Sequence, residues 1–212
     1  MRIPSLYRHG PLTAVLIAGF LLTTTPSRAA AVSAEAFVRS KIDEFADLIQ
    51  GSQPKRFETL RTRVRQIADF DGFAKQSLGA PWTSASAAER QQFKDAMQGL
   101  LESHYMSKPA TVFDKEKITI SGATPSGTAT AVAGAVKRKD VDITFLVKVE
   151  PDHDQWRVLD VTIDGLSLLE DYRAQFQSYL KKKTLAQLVT RLHEKAQANM
   201  RSANPADVSP KP

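Results

Sequence analysis

The sequence predicts an α+β domain: a curved four-stranded antiparallel sheet covered on one face by amphipathic helices. Three observations carry this. Apolar residues recur at helical spacing from Ser33 to Tyr105. The period then drops to two, with short turns between successive runs, from Lys117 to Ile163. Helical spacing returns from Ser167 onward. Consecutive strands joined by short turns form an antiparallel meander, and such a sheet needs one face covered. Helices before and after it supply that cover.

The chain begins with a segment that does not belong to the domain. Arg2, Arg8 and His9 precede an uncharged run from Leu12 to Leu22, followed by Pro26 and by small residues at Ser27, Ala29, Ala30 and Ala31. That is the layout of a secretory signal peptide, cleaved after Ala29 or Ala31. The run is shorter than the roughly 20 residues that span a bilayer. An uncleaved anchor is the rival reading. The expected organisation is a signal peptide at 1–29, one domain at 30–200 and a disordered polar tail at 201–212. The chain contains no cysteine, which excludes lipidation at the cut site, thiol catalysis and cysteine-ligated metals. Its formal charge is +6; Arg2, Arg8 and Arg28 leave with the signal and the domain keeps +3. That excess is weaker than a nucleic-acid-binding surface requires.

Each element has a local cause. Ser33 caps a first helix with a stripe of Val38, Ile42, Phe45 and Ile49, and Gly51 is expected to end it in the left-handed conformation. Beyond Pro54 a second helix places Phe57, Leu60, Val64 and Ile67 on one side and Arg56, Arg61, Arg63 and Arg65 on the other. Asp71 is expected to cap a short third helix that ends at Gly79, with Trp82 in the connection beyond. Ser86 and Glu89 form a capping box for a long helix bearing Phe93, Met97, Leu100, Leu101 and Tyr105. That helix ends before Pro109.

Lys117–Ser121 and Thr128–Lys137 read as strands around a turn at Thr124–Gly127. Val141–Val149 alternates Val141, Ile143, Phe145, Val147 and Val149 with Asp142, Thr144, Leu146 and Lys148. After a turn at Pro151–Asp154, Gln155–Ile163 forms the fourth strand. Ser167 and Glu170 make a second capping box before Tyr172, Phe176, Tyr179 and Leu180. Thr184 opens the last helix, which carries Leu185, Leu188, Val189, Leu192 and Ala196.

Catalytic signals are sparse. His153 lies between Asp152 and Asp154 in a turn, which reads either as a base or metal ligand or as a solvated loop. Asp160 interrupts an apolar strand, as a catalytic acid or as a hydrogen-bonded structural carboxylate. His104 and His193 have no second ligand three or four residues away. No metal site, cofactor site or phosphate-binding loop emerges. Arg61 and Arg65, one turn apart, offer a docking site for an acidic partner or a plain solvated face.

One pattern points to open volume. Ala129, Ala131, Ala133 and Ala135 alternate along the second strand. Together with Ile143, Phe145 and Val147 of the next strand, and Phe93, Met97, Leu101, Tyr105, Tyr172 and Phe176 of the helices, Ala131 and Ala133 are candidates to line a deep apolar slot. A close-packed core is the alternative reading of the same stripes. Tyr172 and Arg173, at a helix start near Gly165, are candidates for its mouth.

Three stretches resemble the MlaC-type, or toluene-tolerance, periplasmic lipid-binding family. They are Phe70-Asp71-Gly72-Phe73-Ala74 with Leu78-Gly79 and Trp82; Glu89-Arg90, Phe93, Leu100-Leu101 and Tyr105; and Trp156, Val158-Leu159-Asp160-Val161, Gly165-Leu166-Ser167-Leu168, Tyr172-Arg173 and Gln175-Phe176. Ser86-Ala87-Ala88-Glu89 departs from the Thr/Ser-Pro-Glu that members often carry, and the alanine-rich strand is not a family mark. The resemblance implies a non-enzymatic soluble carrier in the periplasm, whose sheet and helices enclose an apolar lipid cavity that holds the tails of a phospholipid, or of another lipid such as a hopanoid. It also implies exchange with two partners, an outer-membrane lipoprotein complex and an inner-membrane ABC transporter with an MCE-domain subunit. A packed adaptor and a small hydrolase built on Asp160 or His153 are the competing classes.

Overall fold

The structure, a computed structural model, describes residues 32–51, 55–105, 117–137 and 141–203. The expected signal peptide, the tail from 204 and the side chains of Phe57 and Tyr105 lie outside the described residues.

Helix α1 (Ala34–Gln50) starts where expected, with Ser33 Oγ accepting from the Ala36 N–H at 3.1 Å. Its end differs from expectation. Gly51 has φ −64° and ψ 154°, extended rather than left-handed. Glycine serves close approach here, since a Cβ would lie 3.0 Å from the Asp47 carbonyl oxygen. Helix α2 spans Arg56–Ile67.

Helix α3 (Phe70–Leu78) is capped by Asp69, not by the expected Asp71: Asp69 Oδ1 accepts from the Gly72 N–H at 2.9 Å. Asp71 stands in the first turn and pairs with Lys94 at 2.9 Å. Trp82 belongs to a short helix, α4 (Ala80–Ser84), rather than to an open connection. The Arg90 guanidinium lies 5.6 Å from the centre of its ring. Helix α5 (Ala87–Tyr105) opens with the full capping box. The Ser86 N–H donates to Glu89 Oε2 at 2.8 Å and the Glu89 N–H to Ser86 Oγ at 3.2 Å. The Ser86 N–H, aided by its hydroxyl, holds the Glu89 carboxyl below the ordinary carboxylate range.

The sheet holds five strands, one more than expected, in the order β1 (Ile118–Ser126), β2 (Ala129–Val136), β3 (Ile143–Asp152), β4 (Gln155–Ile163) and β5 (Leu166–Ser167), all antiparallel and open at the edges. Two expected turns are strand instead. Pro125 pairs with Thr130 in β1, an edge strand where a missing N–H is tolerated. Pro151 pairs with Trp156, so the β3–β4 turn shrinks to His153 and Asp154. β5 escaped the sequence reading because two residues carry no periodicity. Asp164 (φ 46°) and Gly165 (φ 81°) fold it back in the positive-φ conformation of a tight hairpin. Register shifts at Ile120/Gly122 and Lys148/Val149 mark bulges, which bend strands and increase their twist.

Helices α6 (Leu168–Leu180) and α7 (Leu185–Ala203) follow. Ser167 Oγ accepts from the Glu170 N–H at 3.0 Å. Thr184 and Gln187 bond reciprocally, at 3.0 and 3.3 Å. The last helix runs three residues into the stretch expected to be tail.

Two separate cores result. One joins α3, α5, α6 and α7 through Phe73, Leu78, Phe93, Met97, Tyr172, Phe176, Leu188 and Leu192. The other packs Ala34 and Val38 of α1 on Val132 and Val149 of the sheet. The α2–α3 junction is tied to the edge of β4, where the Asp69 N–H donates to the Val158 carbonyl at 2.8 Å.

Candidate functional site

Strand register decides which residues share a face. Side chains directly opposite in an antiparallel pair project to the same side. Val132 opposes Val147, Gly134 opposes Phe145, and Val136 opposes Ile143. Across β3 and β4, Phe145 opposes Ile163 and Val147 opposes Val161. On β1, Ile118 opposes Val136 and Ile120 opposes Gly134. These residues form one broad apolar face.

Helix α1 covers half of it. Phe37 and Ile42 pack with Ile120, Val147, Trp156 and Val158 around the buried Val132 and Val149. Trp156 Nε1 donates to the Val32 carbonyl at 3.0 Å and fixes where that helix begins. The other half holds Ile143, Phe145 and Ile163, which belong to neither buried cluster. Ile163 is 41 % exposed. Phe145 lies across Gly134: a Cβ there would overlap the ring and the Thr119 carbonyl. The sequence signal for this residue was a lone glycine inside a strand, which often marks a close approach.

The alanine stripe is on the opposite face. Ala131 opposes Lys148, Ala133 opposes Leu146 and Ala135 opposes Thr144. Ala131 and Ala133 therefore do not join Ile143, Phe145 and Val147 in one slot. A one-residue difference in assumed register inverts a strand's faces, and alternation within each strand does not reveal it.

The helical candidates sit elsewhere again. Phe93 and Met97 are fully buried. The Phe93 and Phe176 rings meet edge-on at 5.4 Å and 84°, and Tyr172 lies 5.6 Å from Phe176. Leu101 packs against the same cluster. This is a close-packed helical core. Tyr172 is 8 % exposed within it, while the exposed Arg173 pairs with Glu170 at 3.4 Å.

The expected docking arginines turn toward Glu102. Arg65 Nε and Nη2 each donate to one of its carboxylate oxygens at 2.6 Å, and Gln98 Nε2 donates at 2.8 Å. Arg61 Nε stands 3.7 Å away. The Arg65–Glu102 hydrogen bonds raise the Arg65 pKa above its ordinary value.

Asp160 is a structural carboxylate. It accepts from the Val161 N–H (2.9 Å), the Leu169 N–H (3.0 Å) and Ser167 Oγ (2.6 Å), which joins β4 to the start of α6. His153 is 95 % exposed at φ 55° and bonds only its neighbour Asp152 among the described residues. Among the described residues, Glu44, Asp47, Leu48 and Gly51 line a cleft of about 260 Å³ at the end of α1. Among the described residues, no helix is long and apolar enough to cross a membrane.

The fold thus defines an α+β protein whose open antiparallel sheet has one apolar face, half covered by a helix. Its sequence places it further: the family described as MlaC protein matches residues 35–194, and the chain belongs to that family. Among solved structures it is similar to the phospholipid-binding protein from Ralstonia solanacearum, determined in complex with a phospholipid. The two share 26 % identity and a TM-score of 0.64, over 79 % of this chain and 99 % of that one. No curated protein matches the chain.

Proposed function

We propose that this protein is a periplasmic lipid carrier, not an enzyme, which holds the acyl chains of a phospholipid and moves it between the two membranes. The observation that carries the proposal is the apolar half-face of Ile143, Phe145 and Ile163, which stands outside the cluster packed under α1 in a member of this family. The phospholipid bound by the Ralstonia protein supports the choice of cargo.

Physics sets the demand on such a site. Each methylene exposed to water costs about 0.8 kcal/mol. A lipid with roughly thirty of them would cost on the order of 20 kcal/mol to extract unprotected. The apolar face must therefore shield most of both tails. Carriage needs no turnover, and Asp160, whose oxygens already accept three hydrogen bonds, supports that reading. The exchange partners in this proposal are an inner-membrane ABC transporter with an MCE-domain subunit and an outer-membrane lipoprotein complex.

Native mass spectrometry of the exported protein, followed by solvent extraction, tests the cargo. The expected result is one phospholipid per chain. A protein that purifies empty and takes up no lipid from vesicles would overturn the proposal and favour a packed adaptor.

A further inference from the structure

Helix α2 sits outside both hydrophobic cores. None of its described residues belongs to either cluster, and Leu60 is the one buried side chain among them. Its start is uncapped: Lys55 precedes it in the left-handed conformation, φ 68°, with no side-chain bond to the first-turn amides. Burial and a side-chain cap, which together seat α1 and α3, are therefore weak here.

Charge supplies what burial does not. Arg61 and Arg65 reach Glu102 of α5 at 3.7 and 2.6 Å, and Arg63 reaches Glu44 of α1 at 3.1 Å. The three arginine side chains are 43 %, 52 % and 51 % exposed in that order, so dissolved ions have access to them. Arg61 Nε is buried without a hydrogen-bond partner, which leaves its contact incomplete. The backbone is fixed where the helix ends: Ala68 bridges to Val158, and the Asp69 N–H donates to the Val158 carbonyl.

We infer that α2 is a charge-clasped strap, which lets go and melts as a unit while both cores stay folded, and does so more readily as ionic strength rises. An isolated helix of 12 residues is marginal in water, so α2 does not survive detachment. Release is thus local unfolding, at the low end of the molecule's range of stabilities. The bridge at Ala68 and Asp69 marks where it stops. The inference is independent of what the protein carries.

Hydrogen exchange of the full exported chain, read by peptide mass spectrometry at one pH, tests it. The α2 amides beyond the first turn are expected to exchange roughly tenfold or more faster than the interior amides of α1 and α5. They should exchange severalfold faster again in about 0.5 M sodium chloride than at low salt. Arg63→Gln changes an exposed side chain and disturbs no core; it is expected to speed α2 exchange roughly threefold at low salt and to shrink the salt response. Equal exchange rates in α2 and α5 would overturn local release, since α2 would then open only when the whole chain unfolds. Wild-type α2 rates that ignore salt would overturn the charge clasp, as would an Arg63→Gln protein indistinguishable from wild type.

Discussion

At position 134 the absence of one carbon shapes the apolar face. The Phe145 ring occupies the space a side chain would take, and the Thr119 carbonyl closes in from β1. Any larger residue must displace an aromatic ring or push neighbouring strands away from each other. Gly134→Val is therefore expected to destabilise the protein by about 1–3 kcal/mol through overpacking. Urea unfolding checks this as a lower midpoint at unchanged slope. An unaltered midpoint would show that the ring moves aside freely. Asp160 and His153 make the complementary point. Sequence offered Asp160 a catalytic or a structural role and His153 a catalytic or metal-binding role or a solvated loop; the hydrogen bonds of the first favour structure and the exposure of the second a solvated loop.

Helix α2 is tied to its neighbours by charge. Arg63 Nε pairs with Glu44 of α1 at 3.1 Å, and Arg65 forks onto the buried Glu102 of α5. It thereby adds a charged tie between the sheet core and the helical core, beside those that Asp160 and Asp69 make from β4 to α6 and α3. Glu102→Gln removes the anion but keeps the shape. It is expected to cost about 1–3 kcal/mol, since a charged hydrogen-bonded pair is broken with one partner buried. Chemical denaturation measures the loss, and Arg65→Lys, which keeps the charge but not the fork, should lose less. Stability equal to wild type in Glu102→Gln would show that apolar contacts alone seat α2.

Sequence was most informative at this scale. Both boundaries of the first helix, the Ser86–Glu89 box and the alternation of β3 were readable, because caps and periodicity are local. The two-residue β5, the Asp69 cap and the strand status of Pro125 and Pro151 were not. The strand status of the two prolines depends on pairings that periodicity does not encode, Pro125 with Thr130 and Pro151 with Trp156, and the Asp69 cap is a local choice between two nearby aspartates that spacing leaves open.

For the whole molecule, the cost of pulling a lipid from a bilayer demands a continuous apolar surface, and strand register supplies a candidate. The face of Ile118, Val136, Ile143, Phe145 and Ile163 is apolar across four strands, while the alanine face behind it meets Thr144, Leu146 and Lys148. Sequence alone merged the two, because alternation gives the faces of each strand but not which faces adjoin. The direct test is to place a charge on each side in turn and measure lipid per protein by extraction and mass spectrometry, with circular dichroism to verify folding. Folded Phe145→Glu is expected to purify without lipid, and Ala133→Glu to keep a full load. A folded Phe145→Glu that retains its lipid, or an Ala133→Glu that loses it, would contradict the assignment of acyl chains to the Phe145 face.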